Sequence, residues 1–335
     1  MDFTDLVDLA AERVGGSALA ASDEFFAEKE NLLKPGRGVF IAEKYTDRGK
    51  WMDGWESRRK RGPGNDWCIV KLGLPGRIHG FDIDTNYFLG NYPEYASVEA
   101  LATDPDASVL ELTEPAVQWT EVLPMRRLEG GSRNLFAIDS DRRWTHVRLN
   151  IFPDGGVARF RVHGAVRPNW ENLLAAGGDL DLAAIEHGGV AVLASDMFFS
   201  HMNNLIMPGR APNMGDGWET RRRRGPGNDW IVIRLGAPGE VRKVEIDTNH
   251  FKGNYPDSCS LDGCFVRGDP PAEYLASLAV EWHELLPHTK LEADHRHHFD
   301  SELRRPGVLT HVRLNVFPDG GVSRLRLYGT PRRDA

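Results

Sequence analysis

His146-Val147-Arg148-Leu149-Asn150-Ile151-Phe152-Pro153-Asp154-Gly155-Gly156-Val157 returns 165 residues later as His311-Val312-Arg313-Leu314-Asn315-Val316-Phe317-Pro318-Asp319-Gly320-Gly321-Val322. Polar and apolar side chains alternate through 146–152, the period of a half-buried strand, and alternate again through 158–163. Pro-Asp-Gly-Gly lies between the two runs, so the stretch reads as a β-hairpin with one wet face and one core face. In the second copy Val312, Leu314 and Val316 are expected inward, and His311, Arg313 and Asn315 outward.

Working outward, the duplication takes in the whole chain. Residues 53–100 return at 216–263 with 27 of 48 positions identical, and 145–164 return at 310–329 with 15 of 20 identical. Asp8-Leu9-Ala10-Ala11 returns as Asp181-Leu182-Ala183-Ala184, at an offset of 173. The change of offset from 173 to 163 and then to 165 puts ten extra residues near 39–50 of the first copy. It also puts two extra between Trp282 and Thr310 of the second. A period near 165 is too long for a solenoid and fits a duplicated domain, here 1–165 and 176–330, with the joint beginning at Arg167-Pro168. Residues 68–72 and 78–84 read as two more strands, parted by a Gly73-Leu74-Pro75-Gly76 turn. Helix is scarce: Thr4 is placed to cap a short one over 5–13, with a counterpart over 182–186, each stopped by a Gly-Gly pair. Short, punctuated strands of this kind predict an all-β protein of two tandem, homologous β-sandwich domains, each a jelly roll.

Composition narrows the partners. Of 335 residues, 41 are Lys or Arg against 49 Asp or Glu, a formal charge of −8, which argues against a nucleic-acid backbone as ligand. No apolar run is long enough to span a bilayer, and the acidic start is unlike a secretory signal. Three cysteines make no disulfide framework, so a reducing, cytoplasmic setting is expected, with Cys259 and Cys264 as small buried hydrophobes.

Three polar clusters occur in both copies. The first is Asp53-Gly54-Trp55-Glu56-Ser57-Arg58-Arg59 running to Asn65-Asp66-Trp67, matched by Asp216-Gly217-Trp218-Glu219-Thr220-Arg221-Arg222 running to Asn228-Asp229-Trp230. An Arg fork in such a loop suits a small carboxylate, although a run of basic residues also makes an ordinary solvated face. The second is Asp84-Thr85-Asn86 with Gly90-Asn91-Tyr92-Pro93, matched by Asp247-Thr248-Asn249 with Gly253-Asn254-Tyr255-Pro256. These residues suit a substrate made of amides, and equally suit turns stabilised by side-chain to backbone bonds. The third is the wet hairpin face, where His146 and His311 would be natural proton carriers near neutral pH if a loop covered them. Asp154 and Asp319 read as turn formers. His295-Arg296-His297-His298 aligns with Ser132-Arg133-Asn134-Leu135 of the first copy, so its histidines are not repeated, and it lacks a zinc spacing rule; no HExxH, CxxC, GxSxG or phosphate-cradling Gly-Lys-Ser is present.

The paired Ser-Asp-x-Phe-Phe, the Asp-Gly-Trp-Glu-[Ser/Thr]-Arg-Arg run ending Gly-Asn-Asp-Trp, and Asp-Thr-Asn-x-Phe-x-Gly-Asn-Tyr-Pro, each present twice, resemble the allantoicase family over nearly the whole chain. The resemblance implies two jelly-roll domains of the galactose-binding-like type. It also implies hydrolysis of allantoate to ureidoglycolate and urea in purine breakdown. Expelling urea needs an anion clamp, a general acid and a base for water. The clamp is assigned to Arg58 and Arg59 (Arg221, Arg222), and the ureido amides to Asn86 and Asn91 (Asn249, Asn254). Glu56, Asp84 and His146 (Glu219, Asp247, His311) are the acid and base candidates. No cofactor is required; a divalent ion on oxygen ligands is a minor alternative. Allantoate is the expected partner, and a homo-oligomer is left open. The rival is a carbohydrate- or small-ligand-binding tandem module without catalysis, stacking sugars on Trp55, Trp67, Trp218 and Trp230. A purely structural protein fits less well, because it would not need concentrated polar loop clusters twice.

Overall fold

A computed structural model describes residues 2–268, 270–277 and 279–332. The chain forms two compact units, Met1–Pro168 and Asn169–Ala335. Each is a β-sandwich built around one very long strand, Asp66–Asp84 in the first and Asp229–Asp247 in the second.

The long strand belongs to both layers of its sandwich. Its first part, from Asp66 to Lys71, pairs antiparallel with Trp144–Phe152 on one side and Ser17–Ala21 on the other. Tyr95–Leu101 and then Thr120–Arg127 extend that layer. Its last part, from Gly76 to Asp84, pairs with Arg159–Val166 on one side and Arg133–Ala137 on the other. Val7–Asp8 adds a short edge to Arg159–Val166. The second unit repeats this order strand for strand. Phe81 and Phe160 stack across the ladder with ring centroids 5.8 Å apart, and Cys68, Val70, Val98, Val147 and Leu149 are fully buried.

Several expectations change here. Residues 68–72 and 78–84 are not separate strands with a turn between them. Gly73-Leu74-Pro75-Gly76 stays extended and forms the corner where the strand passes between layers. Pairing with the hairpin strand skips from Lys71 to Gly76, so Pro75 needs no ladder donor. A Cβ at Gly73 would collide with Gly16 N and Val14 O, so the corner also needs that glycine.

The expected helix over 5–13 is a 3-10 turn, Phe3–Asp5, capped by Asp2, then the Val7–Asp8 strand and a second 3-10 turn, Glu12–Val14. Asp8 prevents the helix: its Oδ1 accepts from Val162 N at 3.0 Å and Ala10 N at 3.1 Å, tying the chain to the sheet edge. Residues 182–186 behave likewise, with Asp181 Oδ1 accepting from Leu327 N and Ala183 N, and only Ile185–His187 helical. The Gly-Gly stops do hold, since Gly15 (φ 94) and Gly188 (φ 89) end their turns in the left-handed region. The ten extra residues of the first copy contain a small ribbon, Tyr45–Thr46 against Gly49–Lys50. A short helix, Trp170–Ala176, follows the joint. All three cysteines are buried thiols. No described helix is long and apolar enough to cross a membrane.

Candidate active site

The hairpin turn 153–158 is the hub of the first unit's loop end. Asp66 N donates to Pro153 O (3.2 Å), Ser57 N to Gly155 O (3.2 Å), Gly156 N to Asn91 O (2.8 Å) and Ala158 N to Asp84 O (2.7 Å). Because the long strand bends over at its corner, both its ends, Asp66 and Asp84, reach the same turn. The second unit makes the same four bonds: Asp229 N to Pro318 O, Thr220 N to Gly320 O, Gly321 N to Asn254 O and Ser323 N to Asp247 O. Gly156 and Gly321 must be glycine, since a Cβ on either would overlap the buried ring of Phe88 or Phe251. Asp154 and Asp319 hold the basic loop by accepting from Lys60 N (2.7 Å) and Arg223 N (2.8 Å).

One group of site residues gathers beside Gly156. Glu56 pairs with Gly156 in a two-residue ladder, and Glu56 Oε1 accepts from Asn91 Nδ2 at 2.8 Å. Glu219 and Asn254 repeat the bond at 2.5 Å. Burial raises the Glu56 pKa above the usual carboxylate value, against the Asn91 hydrogen bond, which lowers it. Arg58 is already engaged: its Nε reaches Asp23 Oδ2 at 2.7 Å and its guanidinium lies over Phe25. Arg221 does the same with Asp196 and Phe198. Arg59 and Arg222 are exposed. Trp55 and Trp218, expected at the surface, have no exposure, and their Nε1 donates to Asp23 O and Asp196 O. Trp67 and Trp230 are half-buried.

A second group lies on the outer face of the layer that holds the long strand's last part. Asp82 and Asp84 alternate along that strand. Arg159 and Arg161 stand opposite them on one neighbour and Arg133 on the other. Arg37 takes both Asp84 oxygens, Nε to Oδ2 and Nη2 to Oδ1, each at 2.8 Å. Asp84 Oδ1 also caps Asn86 N, and Asn86 Nδ2 holds Gly38 O. In the second unit Glu245 and Asp247 face Arg324, Arg326 and Arg296 in the same register. There Arg210 Nε stands 3.4 Å from Asp247 Oδ2, outside hydrogen-bond geometry, and a cavity of about 450 Å³ opens among Arg210, Glu245, Asp247, Arg296 and Arg326. Asn249 Nδ2 reaches Ala211 O at 3.3 Å.

His146 and His311 join neither group. His146 pairs with Lys71, four residues down the strand from Asn150, and has no exposure. The hairpin face is therefore not wet at His146, nor at His311, which is 1% exposed. Burial first, and the Lys71 charge second, lower the His146 pKa to about 4. It is a neutral ring at pH 7, with Nδ1 3.0 Å from Thr145 Oγ1. Asn150 Nδ2 and Arg148 Nε both bond Glu99, and Arg148 lies over Trp119, which helps cover this face. Among the described residues no three His, Cys, Asp or Glu side chains gather as a metal-holding group, the 295–298 run included.

The sequence reading missed the arginines of the second group: Arg37, Arg133 and Arg159, with Arg210, Arg296 and Arg324. The signal for Arg159 and Arg324 was the duplicated Arg-x-Arg at 159–161 and 324–326, opposite the acid-x-Asp at 82–84 and 245–247. Both have the period that puts like residues on one strand face.

Comparison with known proteins bears on this duplicated arrangement. The family model for the allantoicase repeat matches twice, over residues 7–167 and 180–332. The chain belongs to the allantoicase family. It is 51% identical to a probable allantoicase of Burkholderia mallei over 97% of this chain and 94% of that protein. It is 48% identical to the allantoicase of Dictyostelium discoideum over 97% of this chain and 87% of that one. The crystal structure of the Saccharomyces cerevisiae allantoicase superposes with a TM-score of 0.81 at 35% identity, covering 97% and 93% of the two chains. The match extends through both repeats, so the family relation covers both polar groups of each.

Proposed function

We propose that this chain hydrolyses allantoate to ureidoglycolate and urea, the purine-breakdown step of its family. The observation that carries the reading is the full-length, two-repeat relation to allantoicases. In the reaction the bond from the central carbon to one ureido nitrogen breaks and a bond to water oxygen forms. The departing urea takes up one proton and the water gives one up. The second ureido nitrogen supplies the electron pair that expels the first, and water then adds to the resulting acyl-imine-like carbon.

Glu56 and Glu219 are the proton donors in this reading. Each is held by an Asn side chain, and the raised Glu56 pKa favours the protonated form that a donor needs. Asp247 is the base for water, and Asp84, whose two oxygens Arg37 holds, is its first-repeat counterpart. Asn86 and Asn249 act by tying down the loops that carry Arg37 and Arg210. The buried histidines have no part in it. Three buried, unpaired thiols support a reducing, cytoplasmic setting. The sugar-module alternative loses two of its four stacking surfaces with Trp55 and Trp218 in the core.

The test is urea and ureidoglycolate release from allantoate by the purified protein, with and without a chelator. The double variant Asp84→Asn plus Asp247→Asn is expected to lose at least about 100-fold in kcat, the scale of removing a general base. Near-normal turnover by a folded double variant would remove both aspartates from the mechanism.

A further inference from the structure

The two outer-face groups carry equivalent residues but differ at the aspartate that ends the long strand. In the first repeat Arg37 satisfies both oxygens of Asp84. In the second, Asp247 has no exposure, and its Oδ2 accepts no hydrogen bond although Arg210 Nε and Arg296 Nε stand 3.4 and 3.9 Å away. A buried acceptor without a donor is costly unless a ligand supplies one. Asp247 is among the residues lining the 450 Å³ cavity, with Asp181, Glu186 and Glu245 as further carboxylates, and the volume suits a small metabolite. Arg324 and Arg326 donate to backbone carbonyls of 204–216 and shape the wall. The side chains of Arg210 and Arg296 are 56% and 40% exposed, so they can turn to an incoming anion.

We infer that the second repeat's cavity is the substrate-binding site: Arg210 and Arg296 receive the carboxylate of a small ureido acid, and Asp247 Oδ2 accepts a ureido N–H. In the first repeat the corresponding aspartate, Asp84, is engaged by Arg37. This rests on the proposed activity and moves the anion clamp from the 58–59 and 221–222 loops to the cavity.

Arg210→Met and Arg37→Met change equivalent positions, and both side chains are half-exposed, so both variants should fold, with thermal unfolding as the control. The Arg210→Met change is expected to raise KM for allantoate about 10- to 100-fold, the scale of one charge-assisted contact, with a smaller change in kcat. Arg210→Lys should recover part of the loss. Arg37→Met should leave KM within about twofold, because that arginine touches no substrate in this assignment. Equal effects at the two positions, no effect at either, or an effect at Arg37 alone would overturn the assignment. Wild-type protein that releases no urea would instead overturn the activity. In that event calorimetric titration of the two variants with allantoate still decides the cavity: binding lost only with Arg210→Met upholds it, and any other pattern rejects it.

Discussion

The two repeats agree closely at the turn that organises each sandwich and differ at the arginine that meets its aspartate. The four backbone bonds to 153–158 recur at 318–323 within about a tenth of an ångström of one another. By contrast, Asp84 is locked by Arg37, whereas Asp247 sees Arg210 only at ion-pair distance. The same division appears beneath. Arg159 and Asp53 form an ion pair almost without exposure, while the Arg324 partner Asp216 is nearer to water. The segments carrying Arg37 and Arg210 are also where the copies differ in length, the first adding the 45–50 ribbon and a Phe40–Tyr87 stack. Backbone bonds survive divergence because every residue type but proline carries both donor and acceptor; ion pairs depend on where a loop delivers one guanidinium.

The largest effect that could break this contrast lies in the buried pairs. Asp53→Asn is expected to destabilise the first unit by about 3–5 kcal/mol, because it removes the charge partner of a buried guanidinium that keeps only the Asp53 and Ala158 carbonyls, both on Nη1, and has no hydrogen bond at Nε. Asp216→Asn should cost only about 1–2 kcal/mol, since Arg324 keeps carbonyl acceptors at Asn204, Ser323 and Gly209. Urea denaturation of each variant checks both, and equal losses would remove the asymmetry. Gly156→Ala and Gly321→Ala sharpen the shared half: each should cost about 1–3 kcal/mol by crowding Phe88 or Phe251, and by the same amount in both repeats.

Smaller effects depend on pH. The folded-state pKa of His146 is lowered to about 4 from an ordinary 6.5, so its unfolded form binds the proton first. Stability should therefore fall as pH drops below 6.5 and go on falling until about 4, by roughly 1–2 kcal/mol at pH 5, and His146→Gln should flatten that slope. Glu56 works in the opposite sense. Its folded pKa is raised by burial, so its contribution is fully present below the ordinary carboxylate pKa and is lost as pH rises through the folded value. Glu56→Gln should thus gain under about 1 kcal/mol at neutral pH, read from paired denaturation curves at pH 4 and 7.

Much of the fold was legible because hairpin alternation and self-similarity are local or nearly local signals. Duplication, the all-β class and the core face of 312, 314 and 316 followed from them. The Gly73–Gly76 corner was misread because a turn and a strand bend use the same residues, and only the ladder partners distinguish them. The histidine face was misread because alternation marks which side chains share a face, not what covers it.

The sequence by itself determined the two-copy plan, the polar clusters and the family, since each is written as a repeated residue pattern. Only the tertiary structure decided that Arg58 belongs to Asp23, that His146 is buried and neutral, and that Arg37 closes one aspartate while Arg210 leaves the other open. Those outcomes depend on the distances of side chains far apart along the chain, set by how the long strand bends and where each loop returns to it.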